Sequence, residues 1–154
     1  MHNSERVEIG YVSLSSHRET VDFLRGKLLP LVNAGALVLD AGCGEHNRLI
    51  DKRNVGKLIG CDVNEDAIQR NKSISEGIVR DLENLDFSDN TFDLLMSYDV
   101  IEHIERPELF IEGVARMLKK RGRLFLVTPN RNSIFGIVAR VIPCRLKKIL
   151  LRLL

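Results

Sequence analysis

At 154 residues the chain has room for one domain with a substantial core and not for two. A composition of 44% hydrophobic and 29% charged residues is that of an ordinary soluble globular protein and excludes a low-complexity or disordered chain. The net charge of +2 hides a polarity: all 21 acids lie within residues 1–112, whereas residues 113–154 carry 11 Lys/Arg and no acid.

In chain order, the N-terminal MHNSERVEIG lacks the apolar core of a signal peptide. Ser16 and Glu19 form a capping-box pattern, and Val21, Leu24, Leu28 and Leu31 follow at helical spacing, which predicts a helix over 16–33. Tyr11 is placed to belong to an N-terminal lid or to the plain surface. The run Ala36 to Leu39 predicts a buried strand, 58–62 a second, and 64–72 a helix opened by an Asn64 cap. Strands are predicted over 77–81, 92–98 and 123–128, with a helix over 107–119 that starts on Pro107 and presents Phe110, Val114, Met117 and Leu118 on one face. Such apolar strands, separated by helices or long crossovers, predict a doubly wound α/β domain with a mainly parallel sheet covered on both faces. The domain is read as a single unit over 1–154: an N-terminal helix or lid (1–35), a core (36–130) and a basic amphipathic tail (131–154) broken at Pro143. The apolar runs of that tail are too short to span a bilayer. It offers a surface for a peripheral membrane, a second subunit or an anionic partner, or else only packing and solvated basic flanks.

Three widely spaced cysteines, Cys43, Cys61 and Cys144, have no metal-ligand spacing and predict neither a disulfide framework nor a zinc site, so a reducing cytoplasm is the expected setting.

Function concentrates in LVLDAGCGEH (37–46). Ligands of open parallel sheets bind beyond the carboxyl ends of the strands, where strand order reverses, and Gly42 and Gly44 stand at that point. Asp62 ends the second strand 18 residues after Gly44, where a carboxylate can accept both hydroxyls of a ribose. An adenosine-type ligand follows. A dinucleotide fingerprint needs glycine at position 47, which is Asn47, and the loop has no P-loop Lys or Ser/Thr. Asp40 and Glu45 repel phosphate and suit a cation. S-adenosylmethionine, with a sulfonium and an ammonium, meets that description.

These residues resemble a known family. LVLDAGCG is similar to motif I of class I S-adenosylmethionine-dependent methyltransferases, of the type 11 kind. The resemblance runs on through IGCDVNEDAI (59–68), RDLENLDFSDNTFDLLMSYDVIEHI (80–104) and LKKRGRLFLVTPN (118–130). It implies that Asp40, Gly42 and Gly44 face the methionine end of the cofactor and that Asp62 holds the ribose, with Val63 beside the adenine. It further implies adenine contacts from Asp81 and Leu82, and a methyl-transfer edge built from Ser97, Tyr98 and Asp99. Asp99 and His103 are the candidate bases, required only for a protonated acceptor.

The chain departs from the family pattern in several places. His46 occupies the position where a third glycine often stands, and only 12 residues separate Gly44 from Lys57, so the helix after the loop is expected to be short. Lys119-Lys120-Arg121-Gly122 replaces the usual turn before the fifth strand. The usual final antiparallel hairpin is not evident: either the chain is a fragment, or the tail or a second subunit of a homodimer covers the fifth strand. Stretches similar to Asp99-Val-Ile-Glu102-His103 ligate a divalent metal in small-RNA 2′-O-methyltransferases and ubiquinone-pathway O-methyltransferases. Positions 99, 102 and 103 share one helical face, but no His follows His103, so a structural or substrate-facing role and no metal is the expectation. The expected partner is a small-molecule or lipid-linked acceptor, with nothing indicating nucleic acid. Two other readings remain, a non-catalytic cofactor-binding domain and an NAD-type oxidoreductase.

Overall fold

The computed structural model describes residues 17–128. Expectations for Tyr11, the Ser16 cap, Cys144 and the tail 131–154 lie outside those residues. The first helix, α1 (His17–Leu28), closes in a 3-10 turn at Leu29–Leu31, where Pro30 removes an amide donor. There follow β1 (Leu37–Ala41), β2 (Lys57–Asp62), α2 (Glu65–Arg70), β3 (Glu76–Val79), β4 (Phe92–Tyr98), α3 (Pro107–Met117) and β5 (Leu118–Val127). The sheet order is β3-β2-β1-β4-β5, and every pairing is parallel. The predicted doubly wound α/β architecture is therefore present, with the direction of winding reversing between β1 and β4.

Alternation along the strands divides the core into two layers. Val38, Leu58, Leu94, Met96 and Phe125 pack under Val21, Leu24 and Leu28 of α1. Leu39, Leu95, Leu124 and Leu126 pack under Phe110, Ile111, Val114 and Met117 of α3. Each such buried side chain contributes about 1.5–3 kcal/mol of transfer free energy. Apolar faces on both sides explain why these strands read as continuous hydrophobic runs.

Two connections differ from expectation. No α-helix follows the glycine loop; the chain from β1 to β2 carries only a 3-10 turn at Lys52–Asn54, capped by the Asp51 carboxylate. The Asn47 side chain explains this, since its Oδ1 accepts from the amides of both Leu49 and Ile50 (each 2.8 Å) and closes a local turn in place of a helical one. Secondly, β5 begins earlier than predicted, at Leu118, with a register shift opposite Phe92–Leu94. The Lys119–Gly122 segment folds tightly there, and a Cβ on Gly122 would lie 2.8 Å from the Phe92 carbonyl oxygen.

Gly60, at the centre of β2, lets the glycine loop sit on the sheet. A Cβ there would lie 2.7 Å from Cys43 Sγ and within 2.9 Å of Ile74. Gly60→Ala is expected to destabilise the fold by about 1–3 kcal/mol through overpacking, read as a lower midpoint in urea unfolding with an unchanged slope.

Candidate active site

The site starts from a turn hung on its neighbour strand. At the end of β1 the amides of Gly42 and Cys43 both donate to the carbonyl of Cys61 (2.7 and 3.1 Å), reversing the chain over the tip of β2. Gly42 and Gly44 hold φ of +79° and +51°, conformations that favour glycine. Gly42 is required for a second reason: a Cβ would collide with the side chain of Val100. At Gly44 a Cβ would meet nothing, so that side of the loop is open to a ligand.

Asp62 locks this turn. Its Oδ2 accepts from the Gly44 amide and its Oδ1 from the Asn64 amide, both at 2.9 Å. A carboxylate has about four acceptor positions, so two protein donors leave capacity for hydroxyls. The Asn64 cap predicted from sequence is also present, with Oδ1 accepting from Ala67 at 3.0 Å.

Behind the loop runs a polar network. Asn71, which caps the end of α2, donates through Nδ2 to the Gly44 carbonyl (2.9 Å). The Asn47 amide donates to Ser73 Oγ (2.6 Å), and Asn47 Nδ2 donates to Asp40 Oδ2 (2.8 Å). Asp40 itself is buried on the α1 face. Burial pushes its carboxyl up to about 7 and the charge of Asp62 adds to the rise, while the Asn47 hydrogen bond opposes it. The same burial raises Cys43 and Cys61 to about 12, so both stay thiols at neutral pH and are inert.

Two cavities open on this frame. One, of about 330 Å³, is lined by Asp40, Gly42, Gly44, His46, Arg48, Tyr98 and neighbouring residues. The other, of about 640 Å³, is lined by Gly42, Asp62, Val63, Asp81, Leu82, Asp99, Val100 and His103 among others. Both fall within the size range of small-molecule sites. Gly42 and Tyr98 border both. Val63 is 66% exposed, an apolar surface left open on the wall of the larger cavity, and Leu82 is buried beside it. Asp81 is fixed by accepting from the Glu83 amide (2.9 Å). Glu83 pairs with Arg106 across this wall (2.7 Å), and its hydrogen bonds from the Arg106 backbone and side chain hold its carboxyl below the usual range.

Of the residues assigned from sequence, Asp40, Gly42, Gly44, Asp62, Val63, Asp81, Leu82, Asp99 and His103 all border one or other cavity. Ser97 does not. It is fully buried on the α3 face of β4 and its hydroxyl has no partner among the described residues. Strand alternation explains the difference: Met96 and Tyr98 point to the cleft side, so Ser97 points away. Asp99 has φ of +55°, an uncommon conformation for a non-glycine residue, at the corner where β4 leaves the sheet. Glu102 accepts from Thr128 Oγ1 (3.0 Å), and among the described residues no group of three or more His, Cys, Asp or Glu is placed to hold a metal ion. Asn47, Arg48, Asn71 and Ser73 were not assigned from sequence; Asn47 registered only as a missing glycine.

Residues 39–126 match the methyltransferase-domain family. The chain belongs to that family. Members of this methyltransferase family draw on S-adenosylmethionine, in keeping with the class I resemblance of the sequence. Among relatives, an uncharacterized protein of Methanocaldococcus jannaschii is 33% identical over 98 residues, covering 64% of this chain and 43% of that one. A ubiquinone biosynthesis O-methyltransferase of Bartonella bacilliformis is 31% identical over 106 residues, covering 64% and 43%. In structure, a protein of Pyrococcus horikoshii superposes with a TM-score of 0.65 at 26% identity, covering 77% of this chain and 57% of that one. The methyltransferase-family chain thus spans 43% of the length of these two curated relatives. Among its described residues no helix is long and apolar enough to cross a membrane.

The elevated Asp40 carboxyl has a testable consequence. Because its folded value of about 7 lies above the ordinary aspartate value of 3.8, its contribution to stability is fully present below about pH 4 and lost as pH rises through about 7. Asp40→Asn, which keeps an acceptor for Asn47, removes that dependence. Relative to the parent, the variant is expected to gain stability steadily between pH 4 and 8, by a few kcal/mol at most, measured by urea unfolding across that range.

Proposed function

We propose that the chain binds S-adenosylmethionine across its two cavities and transfers the methyl group to a hydroxyl of a small-molecule or lipid-linked acceptor. The observation that carries this reading is the Asp62 carboxylate, anchored on the Gly44 amide at 2.9 Å between an open glycine loop and an exposed valine. A sugar bonded to Asp62 lies between the smaller cavity, where Asp40 stands, and the apolar wall of Val63 and Leu82, matching a ligand that is cationic at one end and aromatic at the other. The donor set fits. Asp40 offsets the ammonium, Asp62 orients the ribose, and Val63, Leu82 and Asp81 receive the adenine. When bound, the cofactor supplies a methyl group activated on a sulfonium.

The protein's own contribution is alignment and proton management. An oxygen acceptor is supported by the relatives named as O-methyltransferases, and its proton has a destination in His103 or Asp99 on the larger cavity. The Tyr98 phenol is raised by burial and by the nearby Asp99, so it remains a hydrogen-bond donor at neutral pH between the two cavities. The acids Asp62, Asp81, Asp99 and Glu105 on one wall disfavour a pyrophosphate, which argues against a dinucleotide oxidoreductase.

Asp62→Asn removes a charge-assisted contact and is expected to weaken S-adenosylmethionine binding about 10- to 100-fold in calorimetry. His103→Gln is expected to leave that affinity unchanged while slowing methyl transfer to a panel of phenolic acceptors at least tenfold. Parent-like affinity in the Asp62 variant would defeat the cofactor assignment.

A further inference from the structure

Glu83 lines the larger cavity and has no part in the reading above. We propose that it is a positioning residue: its carboxylate ties the wall that carries His103 to the turn that carries Asp81 and Leu82, and so sets the imidazole against the bound cofactor. The proposal rests on that cofactor and on His103 as proton acceptor, and it names what holds His103 in place.

His103 is exposed, and its imidazole has no hydrogen-bond partner among the described residues. Its place is therefore set by the backbone of the segment 100–106. The amides of His103 and Ile104 close a 3-10 turn over Ile101–His103 by donating to the carbonyls of Val100 and Ile101 (2.9 and 3.3 Å). Ile101 and Ile104 pack on the core layer beneath α3. Apolar contacts are non-directional, so they seat this turn without fixing where it points.

Glu83 fixes the far end of the segment. α3 opens at Arg106 with no side-chain cap of its own, and Pro107 in its first turn offers no amide. The Glu83 carboxylate reaches this end from the other side of the cavity. Its Oε1 accepts from the Arg106 amide (3.0 Å) and its Oε2 from Arg106 Nε (2.7 Å), and the Glu105 backbone further favours its charged form. The dipole of α3 favours an anion at the same end. Since the Arg106 side chain is 63% exposed, the ion pair alone is weak, and the bond to the backbone amide does the positioning.

The same residue serves the opposite wall through a different group. Its amide, in the 3-10 turn Leu82–Asn84, donates to Asp81 Oδ1 (2.9 Å) beside the buried Leu82. That bond belongs to the backbone and survives substitution of the side chain. Removing the carboxylate thus releases the His103 segment and leaves the adenine wall standing. A displacement of about 1 Å near reacting groups can cost on the order of 100-fold in rate.

The test measures S-adenosylhomocysteine affinity by calorimetry and methyl transfer to the phenolic panel, both in the full chain. Glu83→Ala is expected to keep that affinity within about threefold and to slow transfer about tenfold, as His103→Gln does. Glu83→Asp keeps the charge, withdraws it by one methylene and is expected to slow transfer in the same way. Glu83→Gln, which retains an oxygen for the Arg106 amide, should recover most of the rate. Adding Glu83→Ala to His103→Gln should slow transfer no further, the non-additivity of residues that act as a unit. Transfer at the parent rate in the Ala and Asp variants, or a double variant about tenfold slower than His103→Gln, overturns the assignment while the cofactor reading stands. An affinity loss as large as the rate loss also overturns it, since Glu83 would then support the cofactor wall alone. If the parent binds no S-adenosylhomocysteine, the cofactor reading fails and takes this assignment with it.

Discussion

The hydrogen bond from the Gly44 amide to Asp62 joins the two features on which the site depends. It fixes the left-handed loop at the end of β1 and presents a carboxylate from the end of β2. The Cys61 carbonyl takes the amides of Gly42 and Cys43 and leaves that of Gly44 to Asp62, which has other acids around the cleft. Each partly satisfies the other. The parallel register Ala41–Cys61 brings them together, so the sheet itself sets the geometry.

A cleft lined this way gathers carboxylates around two adjoining cavities that share Gly42 and Tyr98. Asp40 is buried on the smaller cavity with one hydrogen bond from Asn47, while Asp62 and Asp99 line the larger one. Such crowding of like charge is poor for stability and good for attracting a cation. Raising the Asp40 carboxyl toward neutral pH relieves part of the cost, and a cationic ligand reverses the shift by favouring its ionised form.

The frame of the molecule was legible in the sequence because buried parallel strands and amphipathic helices write themselves as local patterns. Val38, Leu39, Leu94 and Leu95 are apolar whichever way they face, and α3 shows its stripe at helical spacing. Gly42, Gly44 and Asp62 were readable because their spacing reports strand length plus a turn. What was not readable depended on long-range contacts. Asn47 looked like the absence of a glycine, yet it binds Asp40, caps two amides and replaces a helical turn. Asn71 and Ser73 reach the loop from more than 25 residues away, with no periodic signal to mark them. Ser97 matched a position by motif, but the alternation of β4 turns its hydroxyl into the opposite layer.

The most direct measurement is a crystal structure of the chain grown with S-adenosylhomocysteine. The account requires the ribose hydroxyls on the Asp62 carboxylate, the base against Val63 and Leu82, and the amino-acid end beside Asp40. A nucleoside bound elsewhere, or one that reaches Gly42 and Gly44 with its sugar away from Asp62, would contradict it.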